Sequence, residues 1–187
     1  MYSIAKYLSS VFFSQISSIF VYNNFISVNL RYSTSEFFFF IRDHFPLRFS
    51  YLNDLWGVDF IDSNKRFNVR YYFTSFNFGF SIFVSVPLGI SYPVTNTISK
   101  IFDSANWLER EVWDMYGVIF NSHDDLRRIL TDYGFEGHPF RKDFPLSGYS
   151  QLRYDDTLKR IVTEPLELSQ EYRFFEFNNP WDTYYIK

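Results

Sequence analysis

The sequence predicts an α+β domain, a mixed sheet of about four strands with helices packed on it, followed by a long extended C-terminal segment. Three observations carry that expectation. Apolar residues recur at helical spacing in some stretches and as β-branched and aromatic runs in others. Charge is divided unevenly, with 8 basic and 5 acidic side chains in residues 1–102 against 10 and 16 in residues 103–187. Beyond Gly117 the periodicity thins, and Gly134, Gly137, Gly148, Pro139, Pro145, Pro165 and Pro180 interrupt short apolar pieces. Residues 1–117 therefore form the packed unit. Residues 118–187 form a segment that lies on a partner or on the first domain, since so long a stretch without structure is improbable as a free loop.

Ile4, Leu8, Val11, Phe12, Ile16 and Ile19 share a helical face, so the first twenty residues are expected to form one amphipathic helix. The stretch is Ser-rich and has no acid before Glu36, the composition of a mitochondrial presequence; with no Arg before Arg31, a native helix is preferred. Ser18 to Arg31 predicts a strand, or a hairpin turning at Asn23 and Asn24. Thr34 to Phe45 opens on a cap signal and a Glu, runs apolar, and stops before Pro46 as a helix does. Ser50 to Trp56 predicts a short helix closed by Gly57. Arg66 to Phe76 and Gly79 to Pro87 predict a β-hairpin across Asn77 and Phe78. One helix is expected from about Thr97 and another from Ala105 to Tyr116, with Gly117 as its stop.

Composition excludes several function classes. The chain holds 25 Phe, 15 Tyr and 4 Trp but only two alanines, Ala5 and Ala105, so aromatic rings take over the apolar role. The bias towards Phe, Tyr, Ile and Asn suggests a T-rich coding strand, as in organellar genomes, although 12 Arg against 6 Lys does not fit simple AT bias. The longest apolar run, Phe37 to Ile41, is far short of the roughly 18–20 residues that cross a bilayer. With no Cys there is no thiolate nucleophile, no disulfide and no Cys-ligated zinc or iron–sulfur cluster. A net charge of -3 argues against general nucleic-acid binding. The strand from Arg66 to Phe73 loosely resembles the aromatic strand of an RNA-recognition motif, but Asn68 stands where that motif wants Gly, so core packing is preferred.

The densest information lies between Ala105 and Gly148. On a helix, Leu108, Val112 and Met115 form an apolar stripe. Arg110 and Asp114 stand at i and i+4, and spacing alone favours a solvated surface pair worth under about 1 kcal/mol. Glu109 and Glu111 point to different faces and are not an acid/base pair. His123, Asp125 and His138, with Asp132 between them, offer nitrogen and oxygen donors for a metal, which would make a small metal-dependent hydrolase. The spacing matches no mechanistic metal motif, and a His in a turn is more often a local hydrogen-bonding group. The doublets Arg127–Arg128, Arg141–Lys142 and Lys159–Arg160 sit in a stretch, residues 121–160, with seven basic and seven acidic side chains. Such a neutral mosaic suits register-specific docking on a protein better than phosphate binding.

This segment closely resembles the 30 kDa subunit family of respiratory complex I, the NADH:ubiquinone oxidoreductase. The resemblance rests on Glu109-Arg110-Glu111, Asp114-Met115-Tyr116-Gly117, His123, Leu126-Arg127-Arg128-Ile129-Leu130, Asp132-Tyr133-Gly134-Phe135 and Gly137-His138-Pro139. It continues through Arg141-Lys142-Asp143-Phe144-Pro145-Leu146, Tyr154-Asp155 and Glu164-Pro165, and ends near Phe175 to Trp181. It spans residues 50 to 182 and is strongest from Ala105 to Gly148. Asp124 stands where the family usually has Pro, and the first fifty residues do not match. The resemblance implies a non-catalytic subunit of the peripheral arm, on the matrix side of the mitochondrial inner membrane and near the quinone-reducing module. It implies packing against the 49 kDa subunit and neighbouring iron–sulfur subunits. The complex uses FMN, iron–sulfur clusters, NADH and ubiquinone, and none of these is expected on this chain. Arg110, Arg127, Arg128, His138, Arg141, Lys142 and Asp143 are the expected docking groups.

Overall fold

The computed structural model describes residues 1–32, 34–175 and 177. Trp181, at the far end of the resemblance, lies outside them. Two compact units emerge, residues 1–145 and residues 146–187. The boundary falls after Pro145 rather than after Gly117, because Val118 and Phe120 enter the core of the first unit and residues beyond them bond back to it.

In chain order the first unit contains α1 (Tyr2–Val11), β1 (Ile16–Val21), β2 (Phe25–Leu30), α2 (Ser35–Asp43), β3 (Tyr51–Asp59), β4 (Phe67–Ser75) and β5 (Phe80–Leu88). It continues with β6 (Val94–Asn96), α3 (Ala105–Tyr116) and β7 (Ile119–Asn121). Five strands make a mixed sheet in the order β1-β2-β5-β4-β3, one more than expected. The β2–β5 pair is parallel and the other pairs are antiparallel. Alternation sorts the side chains: Val69, Tyr71 and Phe73 of β4 and Ile82, Val84 and Val86 of β5 are buried, while the residues between them are half-buried. Phe37, Phe38 and Ile41 of α2 pack on that buried face, the Phe38 ring 5.0 Å from Tyr71 and 5.9 Å from Phe73. Each such ring contributes about 1.5–3 kcal/mol by leaving water. Tyr71 is therefore a core residue, and Tyr72, on the opposite face, is stacked on Phe83 at 4.4 Å.

The sequence-based boundaries differ from the structure where the sheet is irregular. Ser50 to Trp56 is not a helix but most of β3. Leu52 and Leu55 mimic helical spacing because a bulge between Leu52 and Asp54 inserts an extra residue and returns both leucines to the buried face. Gly57 sits inside that strand: a Cβ there would lie 2.6 Å from the Tyr116 ring, so the position needs Gly for close approach rather than for a helix end. The first helix stops at Val11, and Ile16 and Ile19 belong to β1, where another bulge, between Ile16 and Ser18, keeps the same three-residue spacing. The alternative hairpin over Ser18 to Arg31 is the arrangement found, as β1 and β2. No helix begins at Thr97. The Thr97 Oγ1 accepts the Ser99 N–H at 3.1 Å, a local turn that competes with helix formation. Parallel β6 and β7 flank α3 and fix both its ends.

The second unit carries one hairpin, β8 (Ser150–Asp155) and β9 (Arg160–Pro165), crossed by an Arg153–Glu164 ion pair at 2.6 Å. Leu152, Tyr154, Leu158 and Ile161 are all exposed on it. A lone two-stranded hairpin is at best marginally stable in water, so its apolar residues call for a covering surface.

Candidate functional site

Helix α3 carries the polar residues of the motif, and its geometry decides what they do. Glu109, Arg110 and Asp114 are all buried, whereas Glu111 is exposed. Residues 122–145 run back across this helix and across the end of the β3–β4 hairpin, held at three places.

At the first, Glu109 receives the Ile98 N–H at Oε1 (2.7 Å) and bonds Thr97 Oγ1 through Oε2. His123 lies 3.8 Å from the same carboxyl. The His123 Nδ1 accepts the Asp125 N–H at 3.1 Å, so its proton sits on Nε2, which faces the Asn106 carbonyl at 3.2 Å. Burial pushes the Glu109 carboxyl up to about 7, against the opposing pull of its Thr97 and Ile98 bonds. The sign follows directly. Because the folded value exceeds the unfolded one, Glu109 supports folding fully below about pH 4.5, and that support is lost as pH rises through about 7. We predict that wild type loses about 3 kcal/mol relative to Glu109→Gln between these limits. Denaturant unfolding at a series of pH values measures this; parallel curves for the two proteins would contradict it.

At the second, Asp114 Oδ2 accepts the N–H groups of Ile129, Leu130 and Thr131 at 3.2, 2.8 and 2.9 Å. Its Oδ1 accepts the Thr131 hydroxyl at 2.7 Å and faces Arg128 Nη1 at 3.4 Å. Burial alone would push this carboxyl up, but so many donors hold it below the usual carboxylate range. The expected Arg110–Asp114 surface pair is therefore replaced. Asp114 is consumed by the following loop, and Arg110 donates to the Arg127 carbonyl at 3.3 Å while its guanidinium lies 5.0 Å over the Trp107 ring.

The third lies past the helix end. Gly117 has φ +74°, and a Cβ there would meet Arg141 and His138. His138 Nδ1 donates to the Asp114 carbonyl at 2.9 Å and Arg141 Nε donates to the Tyr116 carbonyl at 2.6 Å. These satisfy carbonyls that the last turn leaves free. Burial, more than any neighbouring charge, lowers the His138 pKa. Beside them Arg66 grips Asp59 through Nε (2.7 Å) and Nη2 (2.9 Å), and Asp143 through Nη1 at 2.9 Å, while Asp59 also accepts the Lys142 N–H at 2.8 Å. The Arg66 guanidinium holds both carboxyls below their ordinary values.

Of the expected docking groups, Arg110, Arg128, His138, Arg141 and Asp143 thus bond within the chain. Arg127, paired to Asp125 at 2.8 Å, and Lys142 remain at the surface. Thr97, Asp59 and Arg66 have no motif to reveal them; opposite charges at Asp59 and Arg66, on either side of the polar stretch that precedes a predicted strand, are the one signal that could have found the pair. His123, Asp125 and His138 do not converge: among the described residues no three His, Cys, Asp or Glu side chains are grouped to hold a metal ion. No helix of the described residues is long and apolar enough to cross a membrane. What the arrangement offers outward is a set of apolar tips on the folded-back segment, Leu130, Tyr133 and Phe140, with Trp107 of α3.

Comparison with known proteins agrees with this frame. Residues 31–150 match the family described as "Respiratory-chain NADH dehydrogenase, 30 Kd subunit". The chain is 54% identical over 135 residues to NADH-ubiquinone oxidoreductase subunit 9 of Acanthamoeba castellanii, covering 72% of this chain and 68% of that protein. It is 48% identical over 158 residues to NADH dehydrogenase (ubiquinone) iron-sulfur protein 3 of Oryza sativa subsp. japonica, covering 82% and 83%. The solved trypsin-resistant fragment (1-134) of Nqo5 superposes with a TM-score of 0.53 at 28% identity, over 66% of this chain and 98% of the fragment. The chain belongs to the 30 kDa subunit family of the respiratory-chain NADH dehydrogenase.

Proposed function

We propose that this chain is a non-catalytic structural subunit of the peripheral arm of the proton-pumping NADH:ubiquinone oxidoreductase. In this reading it holds the quinone-reducing module together and packs against the 49 kDa subunit and neighbouring iron–sulfur subunits. It sits on the matrix side of the mitochondrial inner membrane, and its gene is organellar. FMN and the iron–sulfur clusters belong to other subunits, in keeping with a chain that has no thiolate to offer a cluster.

One observation supports this above the rest: the polar residues of the motif are spent on folding residues 122–145 into a fixed shape whose apolar tips face outward. Buried charge networks that hold a loop, with rings displayed on it, suit a docking surface better than a reaction centre. The tips give the test. Leu130→Asp combined with Tyr133→Ala is expected to remove most of the chain from the assembled complex while changing the stability of the purified full-length chain by less than about 0.5 kcal/mol. Normal incorporation of the double variant would count against docking through this segment.

A further inference from the structure

The face of the five-stranded sheet opposite α2 carries a cavity of about 290 Å³ that spans β2, β5, β4 and β3. Phe25, Trp56 and Phe83 line it together with Ser27, Asn29 and Ser85. The Phe83 ring is stacked on Tyr72 at 4.4 Å and meets Phe25 at 5.1 Å and Trp56 at 6.2 Å, both edge-on. Arg70 stands at its margin, directly across from Trp56 on one side and Ser85 on the other.

Two features make this cavity unlike an ordinary solvated sheet face. Parallel strands are normally covered on both faces, yet the parallel β2–β5 pair is covered only on the α2 side by elements of the first unit. Arg70 also lacks a counter-charge: among the described residues no carboxylate lies within ion-pairing distance of it, and its guanidinium stands 5.9 Å from the centre of the Phe60 ring. Asp54, one row away opposite Tyr72, accepts the Leu55 N–H of its own strand at 2.8 Å. A guanidinium beside aromatic rings is a receptor for a carboxylate approached through an apolar rim.

We propose that this face is a second docking surface, which receives an acidic side chain carried on an apolar segment of another subunit, the carboxylate meeting Arg70 and the flanking apolar residues meeting Trp56, Phe83 and Phe25. The surface is separate from the tips on residues 122–145. It rests on the subunit reading, because only an assembly supplies such a partner permanently. Charge complementarity selects the occupant: a basic segment would bury two like charges, and a purely apolar one would strand the guanidinium.

The test uses the assembled complex from detergent-solubilised membranes carrying Arg70→Lys, treated with a carbodiimide that joins an amine to a touching carboxylate. The expected result is an amide between position 70 and an Asp or Glu of another subunit, found by peptide mass analysis and missing in wild type. Lys100, 3.8 Å from Asp124, is the internal control for reactivity. In competition with wild type, Arg70→Glu is expected to enter the complex about tenfold less, with Arg70→Lys entering nearly normally. Linkage of position 70 only to carboxylates of this chain would overturn the inference, as would no linkage there while Lys100 reacts. Both results leave the subunit reading intact. Absence of the chain from the complex would take down that reading, and this inference with it.

Discussion

Asp114→Ala is expected to destabilise the chain by about 3–5 kcal/mol, an effect as large as losing a major core side chain. One carboxylate accepts three backbone N–H groups and a hydroxyl and faces Arg128. Removing it leaves the half-buried Ile129, Leu130 and Thr131 donors without their acceptor and Arg128 without its counter-charge, and an unsatisfied buried donor costs about 1–3 kcal/mol. The loss should be concentrated in residues 128–131, whose amide exchange would rise before that of the sheet. Denaturant unfolding together with hydrogen exchange measures both quantities. A change below about 1 kcal/mol would show that the loop finds its fold without the carboxylate.

Arg66→Met carries the second large expectation, again about 3–5 kcal/mol. It strands the Asp59 carboxylate, nearly inaccessible to solvent, with only the Lys142 N–H to hold it, and it releases Asp143. The partner substitution discriminates this from simple loss of packing. Combining Arg66→Met with Asp59→Leu removes the stranded charge and should recover much of the loss, since apolar replacement of a whole buried pair is often near neutral. A double variant no better than the single one would put the cost in the Asp143 and Lys142 contacts instead. The pair also has a pH signature opposite to that of Glu109. Arg66 holds the Asp59 pKa below its unfolded value, so the stabilisation is present above the unfolded value of about 3.8 and is lost as pH falls through the folded one. Acid should therefore weaken the wild type more than the Arg66→Met variant.

Much of this could be read from residue order, and the exceptions have definite causes. The β4–β5 hairpin, the α2 boundaries near Thr34 and Pro46, and α3 ending at Gly117 follow from alternation, helical spacing and stop signals that act locally. The overlong first helix and the helix misplaced at Ser50 to Trp56 both trace to bulges, which convert a strand's period of two into a local spacing of three that imitates a helix. Residues 122–145 carry no recognisable periodicity because their order comes from side chains of α3 and of the β3–β4 hairpin, which no local pattern encodes, whereas the β8–β9 hairpin farther on is a local pairing that the sequence reading missed. The motif residues were legible as important but not in their role. Arg110 and Asp114 at i and i+4 suggest a surface pair, and only the path of residues 122–145 over the helix shows that Asp114 belongs to Ile129, Leu130 and Thr131 instead. Asp59 and Arg66 stayed unnoticed for the same reason, as their significance depends on Lys142 and Asp143 arriving from far along the chain.

The aromatic excess also divides by position. Phe37, Phe38, Phe49, Phe67, Tyr71 and Phe73 are fully buried and substitute for smaller apolar residues in the core. Tyr133 and Phe140 are displayed on a loop fixed by buried charges, and Phe25, Trp56 and Phe83 line the sheet face that no other element of the first unit covers. A side chain that is both large and placed on a rigid support makes a good anchor, because little conformational freedom remains to be lost on binding.

Whether this chain works as a docking scaffold within a large redox assembly is tested most directly by a native gel. Detergent-solubilised membranes would be separated without denaturation, stained for NADH dehydrogenase activity and probed for this chain. The account predicts that the chain lies in the active high-mass band and that Asp114→Ala depletes it there. Migration of the chain at its monomer mass, with none in the active band, would contradict it.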